Sequence, residues 1–145
     1  MNKLYEINDT EINLILSNFE VLSKIQYNDK LTYTNNKLII DNSYYFRPLY
    51  RWYNNYNRLD TLLILNNMIS NIMYISDFFI QKLKYNKNDK STISILNTIL
   101  TTIQNSYIGF NNLDKTYCDN TFSIKINSYI LKLENLEKLI IDLFK

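Results

Sequence analysis

The sequence predicts a mainly α-helical fold, a bundle of four or five helices carrying one small β-hairpin, in a single domain over residues 1–145. Two observations predict it. Apolar residues recur at alternating spacings of three and four along several long stretches, which lines them up on one side of a helix. One short stretch, Lys30 to Asp41, instead alternates with period two about the pair Asn35-Asn36, the pattern of two strands joined by a tight turn.

The first helix is expected from about Thr10 to Ile25. Asn8 and Glu11 have capping-box spacing, with Asn in place of the usual Ser or Thr, and Ile12, Ile15, Phe19 and Leu22 form one stripe. In the hairpin a two-residue Asn-Asn loop pairs Tyr33 with Leu38 and Leu31 with Ile40, setting four apolar side chains on one face. Asparagine tolerates the positive φ that a primed turn demands. Two strands alone are marginal in water, so the hairpin must pack on the helices.

Ser43 to Asn57 is less regular. Pro48 fits the first turn of a short helix, where its missing N–H costs little, and Asn54, Asn55 and Asn57 then mark an end or a kink. From Arg58 to about Lys84, Leu62, Leu65, Ile69, Ile72, Phe79 and Leu83 make a seam. Ile64, Met68, Ile75 and Phe78 widen it, so this helix is expected to be buried on most sides. Asn86 to Asp89 reads as a polar linker. The next helix, Lys90 to Leu113, carries Ile93, Leu96, Leu100, Ile103, Tyr107 and Phe110 at helical spacing.

Gly109 sits inside that pattern at a cost of about 1 kcal/mol relative to Ala. Close packing against another element explains it; so does drift, since residues with AT-rich codons are favoured throughout and Ala is absent. Tyr117 to Asn120 makes a turn in which Asp119 or Asn120 caps the last helix. There Phe122, Ile126, Tyr129, Leu133, Leu136, Ile140 and Leu143 form the most regular seam in the chain, suited to a bundle or a coiled-coil partner. Ile130, Leu131, Leu139 and Ile141 lie off it, as a second buried face or an oligomer contact.

Composition narrows the function. At 145 residues the chain can close a core without disulfides or metals, and a net charge of +2 argues against a strong nucleic-acid field. The single cysteine, Cys118, forms no intramolecular disulfide, and with no histidine there is neither the commonest general base nor a zinc site. One glycine excludes a glycine-rich phosphate loop. Asp114, Asp119 and Glu134 are too scattered in sequence for a paired acid and base. The expectation is therefore a non-enzymatic protein with no cofactor and no metal.

Residues 1–10, with Glu6 and Asp9, lack the apolar centre of a secretory signal. Leu59 to Leu83 is interrupted by Asp60, Asn66, Asn67, Asn71, Asp77 and Lys82, so it is expected to be a buried helix and not a membrane span. A soluble, intracellular chain follows from these readings.

One segment concentrates recognition chemistry. All three arginines, Arg47, Arg51 and Arg58, fall within it, whereas the other 13 cationic side chains are lysines. Trp52, Pro48 and the tyrosines Tyr44, Tyr45, Tyr50, Tyr53 and Tyr56 share it. On a continuous helix Arg51 lies about 40° and Arg58 about 20° from Arg47, so all three stack on one face. The guanidinium fork binds carboxylate or phosphate bidentately, and flanking aromatics can stack on guanidinium groups or bases.

Arg47, Tyr50, Arg51, Trp52 and Arg58 are thus the candidate binding residues, with three readings. The arginines form structural salt bridges, for example with Asp41, Asp60 or Asp77; or they make a phosphate- or nucleic-acid-binding patch; or Trp52, Arg51 and the tyrosines anchor a protein interface. A protein partner or self-association is the first expectation and nucleic acid the alternative.

The hairpin "KLTYTNNKLIIDNS", the following "RPLYRWYNNYNRLDTL" and the later "GFNNLDKTYCDN" resemble a pattern in small helical proteins of giant and other nucleocytoplasmic large DNA viruses. The resemblance implies a cytoplasmic or virion-associated protein of no defined role; a virion component or a binder of a host protein is the first expectation for the function. The resemblance carries over no catalytic residue.

Overall fold

The computed structural model describes residues 8–27, 29–41 and 50–145, with the side chains of Lys30, Asp41 and residues 50–57 outside the description. The order of elements is α1 (Asp9–Ser23), β1 (Lys30–Thr34), β2 (Lys37–Asp41), α2 (Tyr50–Tyr85), α3 (Lys90–Tyr117) and α4 (Asn120–Leu143). Mainly helical, with one antiparallel two-stranded hairpin, it matches the fold class read from the sequence.

Helix α1 begins where Asn8 accepts a hydrogen bond from the Glu11 amide at 2.8 Å, which satisfies one of the orphan donors of the first turn. Its stripe of Ile12, Ile15, Phe19 and Leu22 is buried in the common core. Full burial of side chains such as Phe19 and Leu22 contributes about 2 kcal/mol each in transfer free energy. The hairpin has the expected register, Leu31 opposite Ile40 and Tyr33 opposite Leu38, about Asn35 and Asn36 with φ of 53° and 64°. Leu31 and Leu38 are buried, and Tyr33 and Ile40 pack against the core.

A buried amide fixes the hairpin in place. The Asn18 side chain on α1 donates to the Asn36 carbonyl at 3.1 Å and accepts from the Leu38 amide at 3.0 Å. It therefore saturates backbone groups at the turn that the two-residue loop leaves open.

Helix α2 differs from the sequence reading in two ways. It is continuous from Tyr50 to Tyr85, so Asn54, Asn55 and Asn57 lie in its interior and do not mark an end. Each asparagine costs only about 0.5 kcal/mol in a helix, too little to stop one already propagating. The helix is also not buried on most sides. Leu65, Met68, Ile69, Ile72, Ile75, Phe79 and Leu83 face the core, while Leu59, Leu63, Met73, Tyr74 and Tyr85 are exposed. Pro48, expected in the first turn of a short helix, lies outside the described residues.

Helix α3 runs four residues past the expected Leu113, to Tyr117, because Thr116 and Tyr117 are themselves buried. Cys118 then adopts the left-handed conformation at φ 49° and ends it, its amide donating to the Asp114 carbonyl. Asp119 caps α4 by accepting from the Phe122 amide at 3.0 Å. The α4 seam is buried from Phe122 to Ile140, with Leu143 partly so; off the seam, Ile130 packs on the core and Leu131, Leu139 and Ile141 are exposed.

Close approach of α1 to α3 accounts for the single glycine. A Cβ on Gly109 would stand 2.0 Å from the Leu22 carbonyl oxygen, so drift alone does not account for this glycine. One turn on, the Asn112 amide donates to the Ile25 carbonyl at 2.9 Å.

Candidate functional site

Of the five candidate binding residues, Arg47 lies outside the described residues. Tyr50, Arg51 and Trp52 are placed by their backbone in the first turn of α2, with Arg58 two turns further on. Because that helix is unbroken, Arg51 and Arg58 are only about 20° apart around its axis.

Arg58 is the arginine whose side chain is described. Its Nη1 lies 3.4 Å from Asp119 Oδ1, with the two side chains 25% and 31% exposed. Asp119, which the sequence did not suggest, is thus one partner of Arg58 and comes from the α3–α4 turn, while the side chains of Arg47, Arg51 and Asp41 lie outside the description. The pair is neither dry nor fully solvated, so the Coulombic gain is modest and little desolvation is suffered.

Asp119 does two jobs. Oδ2 caps α4 through the Phe122 amide while Oδ1 faces Arg58. One turn along α2, the hydroxyls of Thr61 and Tyr117 are hydrogen-bonded at 2.9 Å in a buried setting. Tyr129 of α4 donates to the Leu62 carbonyl at 3.3 Å, and its phenol is pushed up from its ordinary value by burial. The Tyr117 and Phe122 rings pack at 4.5 Å between centroids. Ser123 donates to Asp114 across the same corner. Residues 58–62 of α2 are thus held by the α3–α4 corner through charge, hydroxyl and carbonyl contacts. Arg58 is part of that brace.

A second polar clamp joins α3 to α4. Glu137 accepts from the Tyr107 hydroxyl on one oxygen and from the Gln104 amide on the other, both at 2.8 Å. Burial, then the bond to Glu137, raises the Tyr107 phenol above its usual range. Among the described residues no group of three His, Cys, Asp or Glu is placed to hold a metal.

The sequence reading missed the outward face of α2. Leu59 and Leu63 are 65% and 66% exposed at the first end of the stripe. At the other end a concavity of about 670 Å³ is lined by Tyr74, Asp77, Phe78, Gln81, Lys82 and Tyr85. The Lys82 ammonium sits 5.8 Å from the Phe78 ring centroid. The signal was present in the spacing of Leu59, Leu63 and Met73, but apolar residues on a helix are assigned inward by default. By length and composition, residues 58–85 could also cross a membrane, although 44% of their most apolar stretch is buried in the fold.

Comparison with protein-family models, with curated proteins and with solved structures finds no match for this chain.

Proposed function

We propose that this chain is a non-catalytic interaction protein whose contact surface is the Arg47–Arg58 segment together with the outward face of helix α2. The observation that supports this reading is the exposed Leu59–Leu63 pair at one end of a stripe that ends in the Tyr74–Tyr85 concavity. Apolar surface grouped in this way marks contact sites more often than bare surface. The composition leading into it, Trp52 with Arg51 and tyrosines, is that of interface hot spots. A helix that uses one face for the core and one for a partner also accounts for the apolar content of residues 58–85 without a membrane span. The resemblance to giant-virus proteins supports a role as a virion component or host-factor binder.

The test is a photo-activatable cross-linker placed at Leu63, with Thr101 on the exposed side of α3 as control, in the native cell. Discrete protein adducts from position 63 and none from 101 are expected. Adducts to nucleic acid, or the same pattern from both positions, would overturn the reading.

The confinement of arginine to one segment favours a second reading, a nucleic-acid- or phosphate-binding module using Arg47, Tyr50, Arg51 and Trp52. Fluorescence anisotropy of single- and double-stranded nucleic acid across a salt series separates the two. Binding that weakens steeply with salt and vanishes in Arg47→Ala/Arg51→Ala establishes the module. Arg58 is left in place there because it braces Asp119.

A further inference from the structure

We propose that the outward face of α2 pairs antiparallel with the same face of a second copy of this chain, which names the partner for the interaction reading and rests on it. The two ends of the face are complementary. Leu59 and Leu63 project at one end, and the apolar concavity lined by Tyr74, Phe78 and Tyr85 lies at the other. A two-fold axis across the helix at Asn71 sets residue 60 level with residue 82, and residues 59 and 63 level with 83 and 79, of the second copy. The leucines of each copy then face the concavity of the other.

Charge agrees with this register. Asp60 and Lys82 are exposed and lie about six turns, or roughly 33 Å, apart on α2, rotated by only about 40° around its axis. They share one flank of the face. A two-fold pairing brings like flanks together, so Asp60 of each copy meets Lys82 of the other. The same register places Asp77 within a turn of the exposed amides of Asn66 and Asn67. Parallel pairing lacks this match, since it stacks Asp60 level with Asp60. A stripe about 40 Å long and 10 Å wide covers on the order of 800 Å² in total, below the usual size of specific interfaces, so the dimer is a reversible one.

The test is sedimentation velocity of the full chain across a concentration series, with circular dichroism to confirm folding of each variant. Wild type is expected to shift from one to two copies. Leu63→Asp should abolish the shift, and Asp60→Lys or Lys82→Glu should each weaken it roughly tenfold. Asp60→Lys/Lys82→Glu should restore it, because the swap re-forms both pairs across the axis. A monomer at every concentration, or a dimer indifferent to Leu63→Asp, overturns the proposal. So does sedimentation of the monomer with lipid vesicles that Leu63→Asp abolishes, which assigns the face to a lipid surface. A monomer that still gives protein adducts from position 63 loses self-association and keeps the interaction reading.

Discussion

The carbonyl oxygen of Leu22, at the end of α1, lies 2.0 Å from the point where a Cβ on Gly109 would stand, and its carbonyl carbon lies 2.8 Å from that point. Both are backbone atoms. A side chain could rotate away from a new methyl group, but here the whole end of α1 would have to lift off α3. Gly109→Ala gains about 1 kcal/mol in helix propensity and loses more through the clash, for a net destabilisation of about 2–3 kcal/mol. Urea unfolding checks this. An alanine variant as stable as wild type would mean that α1 can shift freely, and that the glycine is drift after all.

Asn18 holds the hairpin by both ends of its amide, and no apolar residue can replace that. Asn18→Leu has a similar size but leaves the Leu38 amide and the Asn36 carbonyl without the partners they have at 3.0 and 3.1 Å. The expected cost is about 1–3 kcal/mol, chiefly from the buried Leu38 amide left unsatisfied, since water can reach the carbonyl of the exposed Asn36. Hydrogen exchange should show faster exchange first at Leu38 and its neighbours in β2. Uniform loss of protection through α3 and α4 instead would show that Asn18 supports the whole core and not the hairpin alone.

The hairpin register was legible because period-two alternation and an Asn-Asn loop leave one pairing that keeps Leu31, Tyr33, Leu38 and Ile40 together. The α4 seam was legible for a similar reason: its spacing admits only one face. What the sequence concealed was long-range. Arg58 lies on α2 and Asp119 in the α3–α4 turn, and no local pattern links them. The outward face of α2 was concealed because Leu59 and Leu63 have the composition of core positions. Which face of a helix meets the core depends on where its neighbours lie. The continuation of α2 through Asn54, Asn55 and Asn57 follows the same logic, since weak propensities yield to the helix around them.

Asp119 lets the cap and the ion pair be separated. Asp119→Asn keeps a side-chain oxygen for the Phe122 amide and removes the charge facing Arg58, whereas Asp119→Ala removes both. The alanine variant is expected to lose about 1–2 kcal/mol and the asparagine variant about 0.5 kcal/mol. A double-mutant cycle with Arg58→Ala isolates the pair, and its coupling should shrink as salt rises. Equal losses for Asn and Ala would mean that the carboxylate acts through its charge and not as a cap.

The Tyr107–Glu137 clamp makes stability depend on pH at the alkaline end. The ordinary tyrosine value is 10.0, and in the folded protein burial, the hydrogen bond to Glu137 and the charges of Glu137 and Glu134 raise it. A raised folded value means that above the ordinary value the unfolded chain releases this proton while the folded chain keeps it. The contribution is therefore fully present below pH 10 and falls as pH rises beyond it. Tyr129, also raised by burial, adds a slope of the same sign. Tyr107→Phe should lower stability by about 1–2 kcal/mol near neutrality, where Glu137 loses a charge-assisted partner. The same variant should flatten, without abolishing, the decline from about pH 10 upward. Chemical denaturation across that range, with the phenolate absorbance followed in parallel, checks both. A slope unchanged in Tyr107→Phe would show that Tyr107 titrates alike in folded and unfolded chains, and the clamp would then have no part in the alkaline decline.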